Sequence, residues 1–260
     1  MGLYFLVGMA MRKTGSKRFV ELDLLRSFAI VGMVFLHILW DLDYFEILPL
    51  NRDIYRFQVI IPLVFFLLVG ICLAVGRNKR EGQPIEQQKA YHARLVLRGL
   101  KIFSIGMLFT TVTMLAMPDR PIIFGVLQFI GLSIILSIPF LRLRSFNVLF
   151  AALFILAGFV AGGIVVESPT ALHLAIGLHQ ANVWEHTIDY FPLLPWFGVT
   201  LFGVALGNFL YCGNERRFKM PDFSERKPVA AFSWLGRHSL AIYVLHQPVI
   251  AGALFIFVHL

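Results

Sequence analysis

Runs of apolar residues as long as a bilayer is thick set the first constraint on this chain. Seven of them fall between Glu21 and Phe257, each near the ~20 residues that a helix needs to cross a membrane. No water reaches the hydrocarbon, so the backbone of such a run has to satisfy its own hydrogen bonds and is helical. The spans are predicted at Glu21–Leu42, Ile54–Gly76, Ala93–Met117, Pro121–Leu141, Phe146–Val166, Tyr190–Tyr211 and Val229–Phe257. Composition agrees, with 58% of residues hydrophobic and 15% charged, against about 45–50% and about 25% in a soluble domain. The expected fold is an all-α, polytopic membrane helix bundle of about seven transmembrane helices. Residues 1–18 form a short apolar and basic N-terminal segment, and 19–260 form the transmembrane domain.

The net charge of +8 does not point to nucleic acid, because the basic residues sit in short loops between apolar runs. Arg12, Lys13, Lys17 and Arg18 precede the first span. Arg77, Lys79, Arg80, Lys89 and Arg94 follow the second, Arg142 and Arg144 the fourth, and Arg216, Arg217, Lys219, Arg226 and Lys227 the sixth. All fall on one side, while the other side is acidic or neutral, with Asp41, Asp43, Glu46, Arg52, Asp53, Asp119, Arg120, Glu167, Glu185 and Asp189. The positive-inside rule puts the N-terminus in the cytoplasm, and a cell inner membrane is the simplest location. Met1–Met11 is apolar with its charges after it, the reverse of a signal peptide, so it is expected to be retained. Cys72 and Cys212 lack disulfide or metal-ligand spacing and read as incidental. No metal is expected.

The first span carries three polar residues on one face. Arg26 and His37 are eleven residues apart, about three turns or ~16 Å. Asp41 follows His37 by one further turn. Ionisable groups at membrane depth are costly and usually mark a functional path. A carboxylate beside an imidazole raises its basicity and fixes its tautomer, so His37 reads as a general base with Asp41 as its orienter. Arg26 admits two readings, a snorkelling or Asp23-paired side chain and part of that functional path. In the last span Arg237 and His238 stand near the cytoplasmic entry and read as an anion contact. Tyr243, His246 and Gln247 lie deeper, either as interhelical hydrogen-bond glue or as site lining, and Pro248 is expected to kink the helix. Asp189 heads the sixth span, in DYFPLLPWFG, and joins Tyr243, His246 and Gln247 in the candidate substrate-binding set. His173, His179 and His186 in the loop before it have no metal-ligand spacing. No phosphate loop, dinucleotide fingerprint or serine elbow is present.

The segments DLLRSFAIVGMVFLH, FFLLVGICLAVG, IIFGVLQFIGLSIILSIPFL, DYFPLLPWFGVTLFGVALG and LGRHSLAIYVLHQP occur in that order. Together, from Phe19 to Val249, they resemble prokaryotic relatives of the heparan-alpha-glucosaminide N-acetyltransferase catalytic domain, a transmembrane acyltransferase group related to the acyltransferase-3 proteins. The resemblance implies transfer of an acyl group from cytoplasmic acetyl-CoA, or another acyl-CoA, to an acceptor across the membrane. The acyltransferase-3 proteins have an arginine and a histidine eleven residues apart in an early helix, which Arg26 and His37 match. Arg26 would then grip the donor, with Arg98, Lys101, Arg237 and His238 near its phosphates, and His37 would be the base. The lysosomal member has asparagine where His37 aligns and a catalytic histidine in the following loop. This chain has no histidine between Asp41 and Arg52, so that arrangement does not carry over.

The sequence thus reads as a membrane acyltransferase acting on a glycan or lipid acceptor, with the bilayer as its surroundings and a homo-oligomer left open. Direct attack on the thioester and an acyl-histidine intermediate both fit. The rival readings are a transporter or channel using Arg26, His37 and Asp41 as a proton or substrate path, and a scaffold in which they are polar glue.

Overall fold

A computed structural model describes residues 18–49, 59–213, 215–221, 223 and 226–259. The N-terminal segment up to residue 17, and the predicted start of the second span at Ile54, lie outside the described residues. The chain is a bundle of helices. In order they are α1 (Val20–Tyr44), α2 (Ile60–Asn78), α3 (Ile85–Ala116), α4 (Val126–Phe140), α5 (Asn147–Gly162), the short α6 (Ala171–Ile176), α7 (Leu193–Leu210), α8 (Lys227–Arg237) and α9 (Ser239–His259). A two-stranded antiparallel hairpin, β1 (Tyr211–Cys212) with β2 (Glu215–Arg216), follows α7 and pairs Tyr211 with Arg216. Six of the described helices are long and apolar enough to cross a membrane, and α4 is a shorter apolar seventh.

Local chemistry sets the helix ends. Glu21 and Asp23 lie in the first turn of α1, where carboxylates complement the helix dipole. The start of α4 is held twice. The Gly125 N–H donates to Gln128 Oε1 at 3.1 Å, and the Val126 N–H donates to Asp189 Oδ2 at 3.1 Å. Residues 121–125 are therefore not helical, and α4 begins at Val126 rather than at Pro121. Its 15 residues make about 22 Å of helix. By contrast α3 begins at Ile85, well before Ala93, and runs for 32 residues. Glu86, Gln87, Gln88, Lys89 and Ala90 are good helix formers, so the polar loop expected there is partly helix. The predicted last span is two helices. The chain breaks at His238, and α9 continues through Pro248, where the kink was expected.

Packing divides the bundle. The closest contacts run between α2 and α7, α5 and α7, and α3 and α4. Glycines allow this approach. A Cβ on Gly70 would strike the Thr200 carbonyl of α7, and one on Gly203 would strike the Leu67 carbonyl of α2. Gly99 and Gly131 face each other's carbonyls across α3 and α4 in the same way. Small residues at crossing points are how helices associate where lipid removes the hydrophobic drive. Phe66, Phe129, Phe197 and Leu201 fill the centre, with the Phe66 and Phe129 ring centroids 4.1 Å apart. The remaining helices gather round α1, which packs chiefly on α8, then on α9 and α2. Gly236 of α8 lies against the Asp23 carbonyl of α1. Between them Ser27 Oγ donates to Phe232 O at 2.6 Å and accepts from the Gly236 N–H at 2.8 Å. No residue of Ser239–Phe257 is fully buried.

A polar cluster between the first and last helices as the candidate active site

His37 and Asp41 on α1 meet His246 and Gln247 on α9. The two imidazoles pack edge to face with centroids 4.7 Å apart. Gln247 Nε2 donates to Asp41 Oδ1 at 2.8 Å, and Asp41 is 1% exposed. Tyr243, one turn before His246, brings its ring centroid within 5.6 Å of that imidazole. Its side chain also packs against the aromatic centre built by α2, α4 and α7.

Hydrogen bonds within each helix set both imidazoles. His37 Nδ1 lies 2.9 Å from Met33 O, and His246 Nδ1 lies 2.6 Å from Tyr243 O. A carbonyl only accepts, so Nδ1 carries the proton in each ring and Nε2 is left as an acceptor. His37 is therefore oriented by the Met33 carbonyl. Asp41, expected to orient it, is instead bonded to Gln247 and acts on His37 only through its charge. Asp41 Oδ2, His246 Nε2 and Gln247 Oε1 are buried without a hydrogen-bond partner among the described residues. Unpartnered buried polar atoms cost about 1–3 kcal/mol each, and a cluster of three accepting atoms is unusual enough to need an explanation.

The other predicted residues lie elsewhere. Arg26 donates to Asp23 Oδ1 at 2.8 Å and to Cys72 Sγ at 2.7 Å, so the cysteine read as incidental is its partner. Asp189 is near the opposite end from Arg26, capping α4. Burial pushes its carboxyl up to about 6, with the Val126 N–H opposing, and it lies within electrostatic reach of Tyr243. Arg98, Lys101, Arg237 and His238 are exposed. Arg237 turns back to Ala230 O, and His238 lies tilted against Trp234 with centroids 4.2 Å apart. These four do not join Arg26. The residues gathered near Arg26 are ones that sequence reasoning passed over. Glu21 takes a two-point ion pair from Arg216, with both distances 2.7 Å and both side chains 10% exposed. Tyr211 Oη donates to the same carboxylate at 3.1 Å, and burial beside it pushes the Tyr211 phenol upward. A cavity of about 750 Å³ opens there, lined by Phe19, Arg216, Phe218 and Lys219 among others. An acid in the first turn of an apolar span was the available signal for Glu21. Among the described residues no group of three histidine, cysteine or carboxylate side chains is placed to hold a metal.

No curated protein and no solved structure matched the chain. The family described as heparan-alpha-glucosaminide N-acetyltransferase, catalytic, matches residues 18–248. That span takes in α1 through the first ten residues of α9, and so the whole polar cluster. The chain belongs to the heparan-alpha-glucosaminide N-acetyltransferase catalytic-domain family and is a multi-pass membrane protein of that acetyltransferase family.

Proposed function

We propose that this protein moves an acyl group, in the first instance acetyl, from cytoplasmic acyl-CoA to a sugar or lipid-linked glycan on the far side of a cell inner membrane. One observation carries the reading. Two histidines, a carboxylate and an amide from opposite ends of the sequence converge between α1 and α9, with Asp41 Oδ2, His246 Nε2 and Gln247 Oε1 unpaired among the described residues. Such atoms suit a donor-rich nucleophile, an amine or a sugar hydroxyl. His37 Nε2 is the base that takes its proton. Asp41, His246 and Gln247 hold the acceptor, and Asp189 approaches the same region from the loop before α7.

The basic end, where Arg26 and the Glu21–Arg216 pair lie, is read as cytoplasmic. Arg26 lies about 16 Å along α1 from His37, a distance that an extended pantetheine arm can cover. The phosphates would then stay among the basic side chains while the thioester reaches the histidines. The exposed Arg98 and Arg237 contribute to this end only through their charge, with the exposed His238 next to Arg237 in the chain.

Acyl transfer and CoA release by the purified protein, with acetyl-CoA and a glucosaminide, test the reading. His37→Ala is expected to lower turnover about 10²–10⁴-fold, the usual contribution of a general base, while acetyl-CoA still raises the thermal midpoint. Arg26→Ala is expected to weaken that thermal shift. Failure of any acyl-CoA to bind or to be consumed removes the proposal.

A further inference from the structure

We infer that Tyr243 is a catalytic residue of the proposed transfer, and that its hydroxyl donates to the oxyanion formed at the thioester carbonyl. The inference rests on the acyl-transfer reading and adds the group that reading lacks. Five side chains make the cluster, and each has one polar atom without a partner among the described residues. Those atoms are His37 Nε2, Asp41 Oδ2, Tyr243 Oη, His246 Nε2 and Gln247 Oε1. The two Nε2 atoms are acceptors, because each ring has its proton on Nδ1. The carboxylate oxygen and the amide oxygen are acceptors by nature. Tyr243 Oη alone carries a hydrogen.

The chemistry needs that hydrogen. The acceptor's nitrogen or oxygen attacks the thioester carbon, and its proton passes to His37 Nε2. The carbonyl π pair moves to oxygen. That oxyanion would face the three remaining accepting atoms, Asp41 Oδ2, His246 Nε2 and Gln247 Oε1, and be repelled unless a donor meets it. Donors aimed at such an oxygen are a large part of acyl-transfer catalysis. Collapse then restores the carbonyl and breaks the C–S bond. The departing thiolate takes the proton from His37, leaving acylated acceptor and free CoA.

Position supports the role. Tyr243 lies one turn from His246, whose imidazole in turn meets His37. Its ring is packed against the aromatic centre of the other helices, so the ring is held from two sides. Asp189, the charged group facing it from the loop before α7, is within electrostatic reach but makes no hydrogen bond to it. The backbone carbonyl of the same residue orients His246, and a phenylalanine would keep that bond.

Tyr243→Phe therefore removes the donor and leaves the packing. The expected result is a fall in kcat of about 10²–10³-fold, the cost of losing one oxyanion donor. KM for donor and acceptor should stay within about threefold, as for a group acting only in the transition state. S-ethyl-CoA, which lacks the thioester carbonyl, should bind both forms equally. Incorporating 3,5-difluorotyrosine at position 243, a more acidic phenol, should move the alkaline limb of the kcat profile to lower pH. An undiminished kcat in Tyr243→Phe, weaker S-ethyl-CoA binding, or an unmoved alkaline limb would each overturn the assignment. Absence of acyl transfer by the wild-type protein would instead overturn the acyltransferase reading itself.

Discussion

The helices α2 to α7 and the group α1, α8 and α9 are held together by different means. The first set meets backbone to backbone at Gly70, Gly203, Gly99 and Gly131, round a centre of phenylalanine and leucine. The second is joined by polar contacts: Ser27 to α8, Gln247 to Asp41, and His37 against His246. Almost every candidate catalytic group belongs to the second set. Apolar packing needs only shape, so it can be completed within the protein. A polar cluster can be left incomplete, and its open valences are where chemistry takes place. The difference teaches that stability and reactivity have been given to separate parts of one bundle, and that they meet at Tyr243.

That separation can be broken experimentally. The largest effect is expected from Glu21→Ala. It removes the two-point ion pair with Arg216, in a site where both side chains are 10% exposed, and breaking a buried pair costs about 3–5 kcal/mol. Glu21 also ties α1 to the hairpin after α7, so both stability and turnover should fall, as read by thermal unfolding and acyl transfer. Next is Gly70→Val, which forces α2 off α7 and is expected to cost about 3 kcal/mol by overpacking. The main thermal transition should move, with turnover per folded molecule retained. Gly236→Ala should do the reverse. Its methyl strikes the Asp23 carbonyl and Ser27 Oγ, costing about 1–3 kcal/mol, and it displaces α8 and α9. Turnover should be lost while the main transition moves little. Equal effects of the two glycine substitutions on turnover would show that the bundle is one unit.

The smallest effect concerns Asp189, on the packed side. Its carboxyl is raised from 3.8 to about 6 in the folded protein by burial. Between these values the folded state holds a proton that the unfolded state has lost. Its contribution to stability is therefore full below 3.8 and is lost as pH rises through about 6. Asp189→Asn should flatten that part of the thermal midpoint's pH dependence. A slope that survives the substitution assigns it to other groups.

The helices were legible because each apolar run satisfies its own backbone, and that requirement leaves little choice of conformation. Their ends were less so. The start of α4 depends on Asp189, sixty-three residues away in the chain, and no local pattern carries that. The extension of α3 to Ile85 was hidden because a helix leaving the membrane becomes polar while staying helical. For the site, spacing along α1 put His37 and Asp41 on one face, and His246 and Gln247 stood out as polar residues in an apolar span. Their meeting across the bundle was not readable from either helix alone. Arg237 and His238 resembled a phosphate contact because they are basic and near a helix end, yet the break at His238 leaves them exposed. Cys72 was passed over because a single thiol has no pattern, and only the fold brings it to Arg26.

Each imidazole of the pair is tethered to its own helix, His37 to the Met33 carbonyl and His246 to that of Tyr243. Neither ring holds the other. If α9 shifts along or away from α1, the gap between the rings changes while both keep their tautomers. The pair is thus a built-in gauge of helix separation. In an edge-to-face pair near 4.7 Å the ring that presents its face shields the edge protons aimed at it, so the ring-current shift within the labelled pair would report the width of the seam. Substrates that enter between α1 and α9 would write their passage in that shift.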